Sequence, residues 1–191
     1  MPLVRLFVAI EIPPAIREAI AASLATLSGQ KSTVKWERTE KLHVTLRFIG
    51  DTAEEDVPRV IDALQRAAAH VGGPYPVRYS SPGYFPNRKR PRILWVGMED
   101  PGRMTTALHD AVELELRSMG LDEDDKQFHP HVTVGRIRHE SPASRLLDAF
   151  EKLTLHTDQV IVDQFVLMKS ELRPDGSDYS VVARFPFGGR P

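Results

Sequence analysis

Two stretches of the chain, Leu42-His-Val-Thr-Leu46 and Pro130-His-Val-Thr-Val134, carry the same tripeptide. A single His-x-Thr arises by chance in roughly a third of sequences of this composition, whereas two copies of His-Val-Thr arise on the order of once in a thousand. Both copies lie in aliphatic, β-branched runs that read as strands. Side chains at i and i+2 of a strand share a face, so His43 projects with Thr45, and His131 with Thr133. Leu42, Val44 and Leu46 face the other way, as do Val132 and Val134. Each motif thus offers one imidazole and one hydroxyl to one side and an aliphatic anchor to the other.

Such a set is suited to acid–base chemistry at phosphorus. Imidazole titrates near neutrality, so a neutral ring takes a proton from a nucleophile while a protonated ring donates to a leaving oxygen. Threonine hydroxyls donate to non-bridging phosphate oxygens. Neither role demands a metal. A lone strand histidine is ordinarily a surface or satisfied core residue, and a lone strand threonine reflects β-propensity. The repetition turns the reading towards a joint site. The copies lie about half a chain apart, which suggests two similar lobes that share one cleft.

The elements that must hold these motifs show in periodicity and punctuation. Leu3 to Ile12 reads as a strand, and Pro13-Pro14 opens a helix over Ala15 to Leu27 that ends at Gly29. Leu42 to Ile49 is a second strand. A helix follows from Thr52 to His70, with Thr52 and Glu55 as a capping box and Gly72-Gly73-Pro74 as its stop. Val77 to Tyr84 and Arg92 to Met98 are strands around a basic loop, Phe85 to Pro91. Pro101 opens a helix to Met119, followed by an acidic loop from Asp122 to Asp125. His131 to Arg138 is a strand, and Ser141 caps a helix that starts at Pro142 and runs to Lys152. Val160 to Lys169 and Tyr179 to Phe187 close the chain as strands joined by a turn at Arg173 to Gly176. This alternation predicts an α+β protein, with helices on one face of the sheets and the other faces meeting across a cleft.

Composition narrows the function classes. A hydrophobic fraction of 41% and a charged fraction of 27% are those of an ordinary soluble globular protein. The formal net charge of −1 excludes a bulk nucleic-acid binder held by a basic field. With 0 cysteines there is no disulfide framework, thiolate nucleophile or cysteine-based zinc site, which fits a cytoplasmic location. No apolar run is long enough to span a bilayer. The apolar start is interrupted by Arg5 and Glu11 and reads as a strand rather than a signal peptide.

The paired motifs resemble the signature of the 2H phosphoesterase superfamily. Their surroundings resemble one branch of it, the RNA 2′,3′-cyclic phosphodiesterases, also called 2′–5′ RNA ligases (the LigT or ThpR family). The resemblance runs over nearly the whole chain. It includes Arg5-Leu-Phe-Val-Ala-Ile10, Lys41-Leu-His-Val-Thr-Leu-Arg-Phe-Ile-Gly50, Gly83-Tyr-Phe-Pro86 and Pro91-Arg-Ile-Leu-Trp-Val-Gly97. Phe128-His-Pro-His-Val-Thr-Val-Gly-Arg136, Met168-Lys-Ser-Glu-Leu172 and the segment 176–179 complete it. The resemblance implies a bilobal fold over residues 1–191, with two antiparallel sheets facing a central cleft and helices outside. It also implies hydrolysis of a terminal RNA 2′,3′-cyclic phosphate to a 2′-phosphomonoester. His43 would be the proton donor, His131 the proton acceptor, and Thr45 and Thr133 the phosphate holders. Run backwards with an RNA 5′-hydroxyl as nucleophile, the same pair would make a 2′–5′ linkage. No cofactor, metal, membrane or obligate protein partner is implied; the partner is an RNA end bearing the cyclic phosphate, and a monomer is expected.

Other residues carry open alternatives. Arg136 matches a position that favours arginine, and its planar fork suits phosphate. Strict alternation puts it on the face opposite His131 unless Gly135 bends the strand. Phe48 meets the same obstacle: it either stacks a base at the cleft edge or packs in the core. Tyr84, Phe85 and Arg88-Lys89-Arg90 read as an RNA-end platform or as a solvated loop, with Arg92 beside them. His70 ends a helix, where the dipole favours a cation, His109 lies within a helix, His139 and His156 have no partner in sequence, and His129 reads as exposed or as a support at the start of its strand. Two other readings compete: the same site acting on a small cyclic nucleotide or ADP-ribose cyclic phosphate, and a non-enzymatic RNA-end binding module.

Overall fold

The chain is described by a computed structural model over residues 2–27, 34–124, 127–138, 144–155, 157–174 and 176–188. Gly29, Ser141, Pro142, His139, His156 and the middle of the 173–176 turn lie outside the described residues. Apolar residues alternate along β1 (Leu3–Glu11), whose Leu6, Val8 and Ile10 are buried towards the helices. Pro14 then opens α1 (Pro14–Ala25), which buries Ile16 and Ile20. The chain continues through β2 (Val34–Trp36), β3 (His43–Ala53), α2 (Val57–His70), β4 (Tyr75–Phe85) and β5 (Ile93–Glu99). It ends with α3 (Met104–Ser118), β6 (His131–Ile137), α4 (Ser144–Glu151), β7 (Val160–Val162), β8 (Gln164–Arg173) and β9 (Gly176–Pro186).

Among the described residues, nine strands join in the order β7-β4-β5-β6-β3-β1-β8-β9, with β2 also on β6. Every described pairing is antiparallel. The α+β class is borne out, and the two expected sheets are the halves of this order. One half is β3-β1-β8-β9, and the other is β6-β5-β4-β7 with β2. They meet at a single residue pair, Val44 with Val132. Both valines are fully buried on the helix side, in a core shared with Leu64, Leu108, Val112 and Phe150. The other faces of the two halves are left to line a cleft. No described helix is long and apolar enough to cross a membrane.

Three local expectations change. The Thr52–Glu55 capping box does not form, because β3 runs on to Ala53 and Thr52 is held in register opposite Val4. Thr52 Oγ1 donates instead to the Gly50 carbonyl at 3.3 Å, and α2 starts after a short turn at Glu54–Asp56. The helix expected from Pro101 starts at Met104, where the Asp100 carboxylate accepts from the Thr105 backbone N–H. The strand expected from Val160 to Lys169 is broken at Asp163, whose carbonyl accepts from Phe187 N–H at 2.8 Å. On one side of that break β7 pairs with β4, and on the other β8 pairs with β1.

A buried ion pair ties the first motif strand to the helix layer. Arg47 Nε lies 2.5 Å from Glu113 Oε1 of α3, with the two side chains 12% and 11% exposed. The Arg47 guanidinium also donates to the Phe48 carbonyl at 2.8 Å and to the Asp122 carbonyl. Removing one partner of such a pair strands a desolvated charge. Glu113→Ala is expected to cost about 3–5 kcal/mol of unfolding free energy, read from the urea midpoint. Arg47→Met with Glu113→Leu should recover most of it; a double variant as unstable as the single would show that the loss is not electrostatic.

Candidate active site

The Val44–Val132 pair sets the geometry of the motifs. In an antiparallel pair about these two valines, His43 falls on the side of Thr133 and Thr45 on the side of His131. The four polar side chains form a quartet on the cleft face, with like residues at opposite corners. All four line one cleft of ≈ 740 Å³.

Each imidazole is held in the same way. His43 Nδ1 donates to the Lys41 carbonyl at 2.7 Å, and His131 Nδ1 donates to the His129 carbonyl at 2.6 Å. A carbonyl only accepts, so the ring proton of the neutral form sits on Nδ1 in both residues. Nε2 is left as the nitrogen that gains and loses a proton. Aromatic edges fix the ring planes. Tyr179 meets His43 edge-on at 5.4 Å and Phe85 meets His131 edge-on at 4.9 Å between ring centroids.

Arg136 and Phe48 reach the cleft through a device that strict alternation misses. In the β5–β6 ladder, Leu94 faces Gly135 but Trp95 faces Thr133, so Val134 is an extra residue. The bulge changes the phase of the strand and puts Arg136 on the face of His131 and Thr133. In the β1–β3 ladder, Val8 faces Arg47 but Ala9 faces Thr45, so Leu46 is extra. Phe48 is thereby brought onto the face of His43 and Thr45. It is 61% exposed and lines the cleft, which overturns its reading as a core residue. Gly135 serves a second need: a Cβ there would come within 2.7 Å of Val34 Cγ1, so only glycine lets β2 lie this close.

The other readings divide. Phe85 lines the cleft, but Tyr84 points to the helix side and bonds to Glu151 of α4. Arg88 is held by Glu151 at 2.9 Å and by Asp148. The expected basic-aromatic platform is therefore split between two faces. Lys89, Arg90 and Arg92 are exposed and outside the cleft lining. His70 meets Glu115 at 3.3 Å, and His129 is exposed at the cleft edge. His109 stacks on Phe128 at 4.1 Å and also lines the cleft. Among the described residues, no three metal-ligating side chains converge.

Sequence reasoning passed over Glu37, Lys41 and Tyr179, which all line the cleft. Glu37 follows β2, a three-residue strand too short to stand out, and its Oε1 lies 3.3 Å from Arg136 Nε. Lys41 stands two residues before His43, as His129 stands two before His131, and that repeat of spacing was the available signal. Lys41 Nζ meets Asp178 at 3.2 Å and sits 5.9 Å from the Tyr179 ring centre. Tyr179 lies on β9, which pairs with β8 as the expected hairpin, but it reaches the cleft only because β8 pairs with β1, and no local pattern announces that pairing. A second groove of ≈ 640 Å³ opens beyond His43 and shares Lys41, His43 and Tyr179 with the cleft.

Burial pushes both motif imidazoles below their ordinary value of 6.5. Their carbonyl bonds oppose this in each case. The charged neighbours differ: Glu37 favours the charged form of His43 and Arg136 opposes it, while His129, His43 and Arg136 all oppose the charged form of His131.

Comparison with known proteins places the chain. The model of the LigT-like phosphoesterase family matches it twice, over residues 10–95 and 96–177, one match on each motif. An Archaeoglobus fulgidus protein named RNA 2′,3′-cyclic phosphodiesterase is 34% identical over 176 residues, covering 92% of this chain and 96% of its own. An Aquifex aeolicus protein of the same name is 31% identical, covering 99% of this chain and 100% of its own. Among solved structures, a Thermus thermophilus protein superposes with a TM-score of 0.75 at 30% identity, covering 98% of this chain and 100% of its own. Escherichia coli LigT complexed with 3′-AMP has a TM-score of 0.80 at 23% identity, covering 98% of this chain and 100% of its own, and shares the fold.

Both histidines are expected to titrate below pH 6.5 in nitrogen-15 NMR spectra, as Nδ1–H tautomers when neutral. Arg136→Gln should raise both midpoints, because a cation opposing each imidazolium is removed. Unmoved midpoints would take Arg136 out of the field at the site.

Proposed function

The chain belongs to the LigT-like phosphoesterase family, and from that premise we propose that it hydrolyses the terminal 2′,3′-cyclic phosphate of RNA to a 2′-phosphomonoester by two-histidine acid–base catalysis. The observation that carries this reading is the pair of Nδ1 bonds, which leaves two Nε2 atoms free to exchange protons in one cleft. His131 Nε2 takes a proton from water as the water oxygen bonds to phosphorus. The bond from phosphorus to the 3′-oxygen breaks, and that oxygen takes the proton from His43 Nε2. Thr45 and Thr133 donate to the non-bridging oxygens, and Arg136 adds its positive charge where negative charge builds up. Phe48, exposed at the cleft edge, offers a face for the terminal base.

The field at the two rings supports this division of roles. The named charges around His131 all disfavour its cation, which suits a base, whereas Glu37 favours the cation of His43, which suits an acid. Run in reverse with an RNA 5′-hydroxyl in place of water, the same transfers form a 2′–5′ linkage. RNA is favoured over a small cyclic nucleotide because the second groove beyond His43 leaves room for the chain that precedes the terminal nucleotide. The partner is thus an RNA end, met by one copy of the chain acting without a metal or cofactor.

His43→Ala and His131→Ala are each expected to lower kcat by about 10²–10⁴-fold on an RNA ending in a cyclic phosphate, and full activity in either would refute the mechanism. The pH profile follows from the two lowered values. The base must be neutral and the acid protonated, so kcat/KM falls on both sides of a bell centred below pH 6.5. A bell centred well above that value would contradict the burial of the pair. Activity should persist in EDTA, and loss on chelation would point to a metal.

A further inference from the structure

We propose that Phe85, Trp95 and His129 form a nucleoside-binding shelf for the molecule that supplies an attacking 5′-hydroxyl. This inference rests on the hydrolase reading and adds an acceptor site to it. In-line displacement puts the entering and leaving oxygens on opposite sides of phosphorus. The leaving 3′-oxygen belongs to the ribose on the His43 side, so the entering group must come from the side of His131. Water needs only His131 there. The structure provides more than that.

Phe85 stands 4.9 Å from the His131 ring, Trp95 stands 5.2 Å from Phe85, and His129 stands 4.8 Å from Trp95. His129 is exposed, and Phe85 and Trp95 are partly exposed. The indole is held against β4, since a Cβ on Gly83 would fall 2.2 Å from Trp95 Cζ2. A fixed aromatic surface beside a catalytic base accepts a nucleobase by stacking, without regard to its identity. The reacting hydroxyl then reaches His131 through its own ribose. The step balances: the 5′-oxygen gives its proton to His131 Nε2 and bonds to phosphorus, while the 3′-oxygen leaves with the proton of His43 Nε2. One diester bond forms for one broken, and no other reactant enters.

The test uses the full chain and an RNA ending in a 2′,3′-cyclic phosphate, with adenosine or methanol as acceptor. The readout is the ratio of alcohol-derived diester to 2′-phosphate. Both products arise from the same bound RNA, so damage to His131 or to RNA binding cancels in the ratio. With adenosine, the ratio should saturate in wild type and fall about tenfold in Phe85→Leu and in His129→Ala. With methanol, which has no base to stack, it should rise linearly and be the same in all three proteins. A linear adenosine response, or variants that lower both ratios equally, would overturn the shelf. Failure of the wild type to form 2′-phosphate at all would instead overturn the hydrolase reading.

Discussion

The site depends on one contact between strands, the pairing of Val44 with Val132. Among the described residues, it is the one ladder pair between β3 and β6, the strands where the two halves of the sheet join. It also fixes which corner of the quartet each polar side chain takes. Its strength comes from the helix side, where both valines are buried in the main core. Folding of the core and assembly of the site are therefore the same event. A truncation at either valine would leave a cavity in the core and also loosen the junction between the halves.

Around this contact the two motifs are alike in plan and different in detail. Each has a carbonyl two residues upstream that holds the imidazole, and each has a bulge after the threonine. The bulges matter because they bring a residue of the same face five positions after the histidine. In the first half that residue is Phe48 and in the second it is Arg136. One half thus presents an apolar face to the cleft and the other a cation, within a frame that is otherwise nearly symmetric. A ligand with an anionic centre and a flat base on one side fits such an arrangement better than a symmetric one.

Much of this was legible from the residues. The motifs, their shared face, the four longest helices in outline and most strands follow from period-two and helical patterns. What stayed hidden has definite causes. Strict alternation puts Arg136 and Phe48 on the wrong face; Gly135 marks the break that returns Arg136 to the cleft, whereas the bulge at Leu46 that returns Phe48 leaves no mark in residue type. Tyr84 and Arg88 looked like companions of Phe85, yet strand alternation sends Tyr84 to the helix layer, where Asp148 and Glu151 claim Arg88. Glu37 follows β2, whose partner β6 lies far along the chain, and Tyr179 is carried to the cleft by β8, whose partner β1 lies at the other end of the sequence. The false capping box at Thr52 arose because a strand partner, Val4, outcompeted a local helix start.

The Nδ1 bonds have one more effect. Because a carbonyl accepts at Nδ1 whichever state the ring is in, neither imidazole changes tautomer or turns over during a reaction. The only variable is the occupancy of each Nε2. One displacement, in the sense proposed, leaves that occupancy exchanged, with His131 carrying the proton that His43 has lost. The protein at the end of a forward turnover is therefore already charged for the backward one. It must trade a proton with solvent before it can go forward again, so the protein keeps a brief chemical memory of the direction it last ran.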